Sequence, residues 1–122
     1  MSDAGADPRR QLGVFGEQAV ARWYEQRGAV VVDRNWRVRG GELDLVVRER
    51  AALVFVEVKT RRSNRYGSPV EAITPTKAAR LRRLVGAWLS AHPTTRAKSV
   101  RIDIACVTFD TAGTPAIEIV TV

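Results

Sequence analysis

Apolar positions recur along the chain with two different periods, and these periods predict the elements of the fold. From Arg10 to Arg27 the apolar residues return at three- and four-residue steps, which is typical of a helix, and Gly28 follows as a terminator. A second helix is predicted after Thr74, with Thr74 as its cap, Pro75 in its first turn and Pro93 beyond its end. One apolar stripe runs along this second helix, formed by Leu81, Leu84, Val85, Trp88 and Leu89.

Five shorter runs predict strands. They cover Ala29–Asp33, Glu42–Arg48, Ala52–Thr60, Val100–Phe109 and Ala116–Val120. The second and third runs are joined by three residues and predict a hairpin, and their apolar residues on both faces indicate central strands. The last run is predicted to be an edge strand. The order of helix, three strands, helix and two strands predicts a single-domain α/β fold with a mixed central β-sheet flanked by helices.

Length and composition are those of one folded domain in a reducing compartment. The chain has 122 residues, of which 45% are hydrophobic, and we expect a domain over residues 10–122 after a disordered tail over residues 1–9. The single cysteine, Cys106, has apolar neighbours and is predicted to be a buried thiol. No segment reaches the roughly 18 consecutive apolar residues of a membrane span, so we expect no membrane partner and a cytoplasmic location.

The charge makes nucleic acid the first partner to consider, although a merely basic, arginine-rich proteome explains the total charge almost as well, so the distribution of the charge decides. The net charge is +7, and 17 of the 20 basic residues are arginine, whose forked guanidinium matches phosphate. Between residues 34 and 65 there are nine basic and four acidic residues, a difference of +5. We expect contacts mainly with the sugar-phosphate backbone. The predicted contact residues are Arg37, Arg39, Arg61, Arg62, Arg65, Tyr66, Lys77 and Arg80.

Two of these residues, Arg65 and Tyr66, lie in a predicted loop, Ser63–Pro69, and the tyrosine has two interpretations. The tyrosine ring could stack on a base or wedge into a branched junction. Packing over the loop itself is an equally good interpretation of the same residue.

The segment "VFVEVK" places two charges inside an apolar strand, and this is where the candidate chemistry lies. Glu57 and Lys59 share one face of the strand with Phe55. If the hairpin forms in the right register, Asp44 of the preceding strand lies near Glu57. Two carboxylates held together repel each other, and a Mg²⁺ (or Mn²⁺) ion relieves that repulsion. The backbone carbonyl of Val58 is a natural further ligand.

Lys59 would then stand beside the ion. It could orient the attacking water, neutralise charge that develops on a phosphate, or act as a base if its pKa were lowered. The ordinary alternative is a surface Glu–Lys pair on a half-exposed strand. The apolar flanks and the second acidic segment, "GELD", favour metal-dependent phosphodiester chemistry.

Asp44 followed by Glu57-Val58-Lys59 resembles the PD-(D/E)xK motif of the restriction-endonuclease-like nucleases, with Leu43 in place of the proline. The resemblance extends from Leu12 to about Val107 and is specific to the bacterial YraN-like family, which is similar in fold to archaeal Holliday-junction resolvases. It implies a restriction-endonuclease-like (resolvase-like) core. The segments that carry it are "LGVFGEQAVARWYEQRG", "RNWRVRGGELDLVV", "LVFVEVKTRRSNRYGSPVEAITPTKAARLRRLVGAWL" and "RIDIACV".

The resemblance also implies that Glu17, on the first helix, joins the metal site, although a solvent-facing glutamate fits the bare sequence as well. Glu42 shares a face with Asp44 and is either part of the site or a residue at the strand entrance. Two cuts on a symmetric junction would suit a homodimer, which is an expectation by analogy.

The favoured function is a metal-dependent endonuclease acting on DNA, with branched or junction DNA as a candidate substrate. The alternative is a nucleic-acid-binding protein with a nuclease-like fold that does not cut. A third class, an RNA-binding or ribosome-associated protein, fits the charge but leaves the acidic residues unexplained.

Overall fold

Helices and strands follow one another in the order that the periodicity predicts. The computed structural model describes residues 7–62 and 73–122. Helix α1 is Pro8–Gln26 and helix α2 is Pro75–Ala91. The strands are β1 (Val30–Val38), β2 (Gly41–Glu49), β3 (Ala52–Arg61), β4 (Ser99–Phe109) and β5 (Pro115–Thr121).

The five strands of the described residues form one mixed sheet in the order β1-β2-β3-β4-β5. Strands β3 and β4 are parallel, and the other neighbours are antiparallel. A parallel pair needs a crossover connection, and the chain between β3 and β4 contains α2. As the third of the five strands in this order, β3 is the central strand, which agrees with its apolar residues on both faces.

Each face of the sheet is covered by one helix, so the core has two layers. We call these faces the α1 face and the α2 face. On the α1 face, Val20, Ala21 and Tyr24 pack on residues of the central strands. On the α2 face, the predicted stripe of α2 is buried against the sheet, with Trp88 at an edge-to-face angle to Phe55.

A buried polar network fastens the carboxyl-terminal half of α1 to the sheet. The Tyr24 hydroxyl donates a hydrogen bond of 2.6 Å to Asp103, whose side chain is 1% exposed. Arg101 Nε also donates to both carboxylate oxygens, at 3.2 and 3.3 Å, and the Thr121 hydroxyl donates at 2.8 Å. The carboxylate therefore has donors on both oxygens, as a buried charge requires.

The predicted elements are present, with two differences in their bounds. β1 continues to Val38, beyond the predicted end at Asp33, through a register shift between Val31 and Asp33. Its polar residues are tolerated because β1 is an edge strand. α1 begins at Pro8, two residues before the prediction, because the Asp7 side chain caps it. The rest of the predicted tail, residues 1–6, and the predicted loop Ser63–Pro69 lie outside the described residues.

Other expectations can be compared directly with the fold. Cys106 is buried, and β5 is an edge strand, as predicted. Neither α1 nor α2 is long and apolar enough to cross a membrane.

Candidate metal centre

Asp44 lies where β3 stops pairing with β2, while β1 still pairs with β2 as far as Gly41. Pairing between β2 and β3 ends at Leu45–Val56, so the same register places Asp44 opposite Glu57. Past that point β3 still pairs with β4 as far as Arg61. The backbone N–H of Val58 is thereby left without a β2 partner, and it donates to Asp44 Oδ2 at 2.8 Å. The side chain of Asp44 thus takes the place of a ladder hydrogen bond.

Three carboxylates from two elements meet at this point. Glu17 comes from α1, and Glu42 and Asp44 come from β2. One oxygen from each lies within 4.8 Å of the others. We call these three residues the carboxylate cluster. All three are partly buried, so their repulsion is only partly screened by water.

Glu17 reaches the cluster because α1 lies unusually close to β3 one residue earlier. A Cβ atom added to Gly16 would stand 1.9 Å from Thr60 Oγ1, a contact that no side chain can make. Gly16 is buried and the absence of its side chain allows the approach. The position of Glu17 therefore depends on the glycine that precedes it.

Polar groups from β1 contact the outer side of the cluster. Asn35 Nδ2 lies 3.0 Å from Glu17 Oε1 and 3.3 Å from Glu42 Oε1, and it donates to both. Arg37 Nε donates to Glu42 Oε2 at 2.7 Å, but the Arg37 side chain is 75% exposed. An ion pair that is so exposed to solvent contributes little to the free energy of unfolding.

The surroundings of Asp44 disfavour the charged form of its side chain. Burial, which is the largest cause, and the charges of Glu17, Glu57 and Glu42 together raise the pKa of Asp44 from its ordinary 3.8 to about 7. The hydrogen bond from Val58 lowers this pKa and offsets part of the increase. In the absence of a cation, Asp44 is thus partly protonated near neutral pH.

Glu57 lies beside the cluster on the α2 face and has a different environment. Arg80 of α2 donates to Glu57 Oε1 at 3.1 Å, and Lys59 Nζ lies 4.0 Å from Oε2. The Glu57 side chain is 10% exposed, and its buried Oε2 atom has no hydrogen-bond partner among residues 7–62 and 73–122. A buried carboxylate oxygen without a hydrogen bond is costly, so this atom could accept a further ligand.

The donor set fits a divalent cation of the magnesium type. Mg²⁺ takes oxygen ligands at about 2.1 Å, so two ligands on one ion are about 3–4 Å apart. The spacing within 4.8 Å in the carboxylate cluster is close to that value. Within the described residues, the unpartnered Oε2 of Glu57 adds a fourth acidic oxygen near Asp44. Glu17, Glu42 and Asp44 would hold the ion, with Glu57 at its side.

The structure brings together most of the predicted site residues. Glu17 and Asp44 belong to the cluster, and Glu57 and Lys59 lie together next to it. Val58 contacts Asp44 through its backbone N–H, and because the N–H and C=O of a strand residue face the same neighbouring strand, the predicted carbonyl ligand lies on the same side of β3.

The predicted nucleic-acid contacts have varied settings. Arg39 and Arg62 are exposed, and Arg61 and Lys77 are partly exposed. Arg37 and Arg80 are instead paired with Glu42 and Glu57. Arg65 and Tyr66 lie outside the described residues.

Of the residues that the fold brings to the site, the sequence did not single out Asn35 and left the role of Glu42 undecided. Asn35 gave no signal beyond the tolerance of asparagine for unusual backbone. Glu42 had been left open, and the signal for it was the Gly40-Gly41 turn, which returns the chain beside β1.

A five-stranded mixed sheet with one helix on each face and a carboxylate cluster beside its central strand defines an α/β protein with a candidate cation site. The family follows from the sequence. The chain belongs to the group described as Uncharacterised protein family UPF0102, whose model matches residues 16–107. The matched segment begins at Gly16, immediately before Glu17, and so includes every residue of the site described above.

Relatives match over most of their length. A UPF0102 protein from Beutenbergia cavernae is 50% identical over 107 residues, which is 88% of this chain and 90% of the relative. Another from Kineococcus radiotolerans is 47% identical over 107 residues, covering 88% of each chain. A third, from Streptomyces griseus, is 46% identical over 110 residues, covering 90% of this chain and 92% of its own.

Proposed function

We propose that this protein is a metal-dependent endonuclease that hydrolyses phosphodiester bonds in DNA, with a restriction-endonuclease-like core. The observation that carries the proposal is the position of Asp44 opposite Glu57 where β2 and β3 part, with Lys59 two residues further along β3. Acidic oxygens and a lysine at one point suit phosphoryl chemistry, in which negative charge must be balanced.

The charge of the site supports a cation-dependent reaction. Asp44 has a pKa raised to about 7, and in the part of the chain that the structure describes no group donates a hydrogen bond to the buried Glu57 Oε2. A bound divalent ion would supply Lewis-acid stabilisation of phosphate charge and a more acidic water. Glu17, Glu42 and Asp44 would bind that ion through oxygens within 4.8 Å of one another.

The chain's own residues would orient the reactants. Hydrolysis forms a bond from a water oxygen to phosphorus, breaks one ester P–O bond and gives a proton to the departing oxygen. Lys59 has an ammonium group 4.0 Å from Glu57 and a side chain that is 36% exposed, so it can reach a phosphate oxygen from inside the site. Its positive charge would stabilise the negative charge that grows on that oxygen.

DNA would approach across the end of β3. Arg61 and Arg62 follow Lys59 directly, and Arg62 is exposed. Contacts with the phosphate backbone give affinity without sequence preference. We expect Arg61→Ala/Arg62→Ala to weaken binding to all sequences alike and to reduce the dependence of binding on salt.

The matched control for that double variant is Arg50→Ala/Lys98→Ala, which removes the same charge at the opposite end of β3. Lys98 and Arg50 are exposed, and the length of β3 separates them from Arg61 by about 30 Å. The control should bind DNA nearly as the wild type does. Equal weakening by both double variants would argue against an interface at the end of β3.

The test of the activity is cleavage of linear, single-stranded and four-way-junction DNA, with Mg²⁺, Mn²⁺ or chelator. We expect cutting of at least one substrate with metal, none with chelator, and none by Asp44→Ala, which should still bind DNA. Absence of cutting on every substrate and with either ion would overturn the proposal.

The second candidate is a nucleic-acid-binding protein that does not cut. The ion pair between Arg80 and Glu57, at 3.1 Å, favours it, because the chain already neutralises one of the acidic groups without a metal. In that case DNA binding should be the same with Mg²⁺ and with chelator. A metal-dependent increase in binding or any metal-dependent cutting would exclude it.

A further inference from the structure

Asn35 has a backbone conformation that its place in the sheet does not explain. Among the described residues other than glycine, only Asn35 and Arg50 have positive φ, at 49° and 56°. Arg50 lies in the two-residue turn between β2 and β3, where this conformation is ordinary. Asn35 lies inside β1, where an L residue seldom adopts it. Some contact of Asn35 must therefore hold the strand in this form.

The contact is with the carboxylate cluster. The β1–β2 register pairs Arg34 with Leu45 and Trp36 with Leu43, so Asn35 stands opposite Asp44. Its side-chain amide donates to Glu17 Oε1 and Glu42 Oε1 at 3.0 and 3.3 Å.

Both partners of that amide are carboxylates, which only accept, so the NH₂ group of the amide must face them. One amide thereby links a glutamate of α1 with a glutamate of β2.

Glu42 Oε2 also accepts from Arg37 at 2.7 Å, and because each carboxylate oxygen has two lone pairs, both glutamates keep lone pairs that a cation could use. A group that binds one oxygen of a metal-ligating carboxylate fixes the direction of the rest. An independent sign that a cation belongs here is the buried Oε2 of Glu57, which has no hydrogen-bond partner in the described residues and only the Lys59 ammonium at 4.0 Å.

We propose that Asn35 is a positioning residue that orients Glu17 and Glu42 for a divalent cation through its side-chain amide. This inference rests on the metal-dependent function proposed above. The left-handed backbone at Asn35 directs its side-chain amide toward both glutamates.

The experiment is calorimetric titration of Mn²⁺ into the metal-free full chain at pH 8, without DNA. Asn35→Gly keeps the left-handed backbone accessible and removes only the amide. We expect its Mn²⁺ affinity to fall at least about tenfold, since partners of metal ligands typically have effects of that size. Its stability to denaturant should equal or slightly exceed that of the wild type.

Two further variants separate the amide from the backbone. Arg50→Gly relieves the other positive φ far from the site, and it should bind Mn²⁺ as the wild type does. Asn35→Ala should lose the same affinity as Asn35→Gly and should also be less stable, because alanine is strained at positive φ.

The outcomes are distinguishable. Wild-type Mn²⁺ affinity in Asn35→Gly would overturn the positioning role and leave the proposed function standing. Loss of affinity in Asn35→Ala alone would assign the effect to the backbone and also overturn it. If the wild type binds no Mn²⁺, the metal-dependent function fails, and the role of Asn35 fails with it.

Discussion

Two aspartates on the same sheet, Asp44 and Asp103, have opposite surroundings. Asp103 is 1% exposed and receives hydrogen bonds from Tyr24, Arg101 and Thr121. Asp44 receives one backbone hydrogen bond, from Val58, and its other neighbours include Glu17 and further acidic residues.

The difference separates a carboxylate that stabilises the fold from one that fits the proposed cation site. The donors around Asp103 come from α1, β4 and β5, so its charge ties elements of the fold together. Asp44 lacks such donors, and the fold instead gathers other acids around it. A native fold tolerates an arrangement of that kind where a ligand supplies the missing charge, which is why we assign stability to Asp103 and function to Asp44.

The largest expected effect on stability is at Asp103. Asp103→Asn places an NH₂ group among donors and leaves Arg101 without its buried partner, so we expect a loss of about 3–5 kcal/mol in the free energy of unfolding. Urea unfolding at pH 8 measures it. Mn²⁺ affinity of the folded fraction should be unchanged, and a loss of metal binding would show that the two aspartates are not separate in role.

Gly16→Ala should have the next largest effect. The added Cβ would collide with Thr60 Oγ1, so α1 must shift, and we expect a loss of about 1–3 kcal/mol. Because Glu17 moves with the helix, Mn²⁺ affinity should also fall. Gly13→Ala on the same helix has open space around its Cβ and should instead stabilise the protein by about 0.5–1 kcal/mol. Equal stabilities for the two variants would show that the close approach of α1 is unimportant.

Tyr24→Phe weakens the Asp103 network without removing its charge. The lost hydrogen bond of 2.6 Å goes to a buried carboxylate that keeps its other donors, so we expect a cost of about 1.5 kcal/mol. Denaturant unfolding measures the change. Tyr24 lies two helical turns from Glu17, so reduced metal affinity in this variant would contradict the separation of the two sites.

The smallest effect concerns Arg80, which neutralises Glu57. Arg80→Gln removes a cation beside the cluster, and we expect Mn²⁺ affinity to rise about threefold, less than 1 kcal/mol. Arg82→Gln changes the charge equally, but its side chain is exposed and points about 200° away around the helix. Titration calorimetry compares the two. If both variants raise the affinity alike, the effect is one of net charge, and the contact with Glu57 has no special role.

Much of the fold was accessible from the sequence because local periodicity encodes it. The stripe on α2, including Leu81 and Trp88, is buried as predicted. The hairpin was predicted with its register left open, and the observed turn, Arg50-Ala51, is one residue shorter than the predicted connection and places Asp44 opposite Glu57.

The contacts that assemble the site were less accessible, because they depend on how α1 and α2 lie on the sheet. The periodicity of apolar residues does not predict that Gly16 lies against Thr60. It also does not predict that Arg80 pairs with Glu57, where a phosphate contact was expected. The left-handed backbone of Asn35 cannot be predicted either, because the residues around it favour a strand.

The pH dependence of stability follows from Asp44. Its pKa is higher in the folded chain, about 7, than the ordinary 3.8, so the folded state binds the proton more tightly. The free energy of unfolding of the metal-free protein should therefore decrease as the pH rises from about 4 to 7 and level off above that. One pKa unit is about 1.4 kcal/mol, and after solvent screening we expect about 1–2 kcal/mol in total.

The most direct test compares the wild type with Asp44→Asn by urea unfolding at pH 8, first with chelator and then with saturating Mn²⁺. With chelator, Asp44→Asn should be the more stable protein by about 1–2 kcal/mol, because it lacks the charge that the other acids repel. With Mn²⁺ at about 100 times its dissociation constant, the wild type should gain about 2.7 kcal/mol and become the more stable of the two. The same order of stability under both conditions, or no gain from Mn²⁺, would contradict a cation site at Asp44.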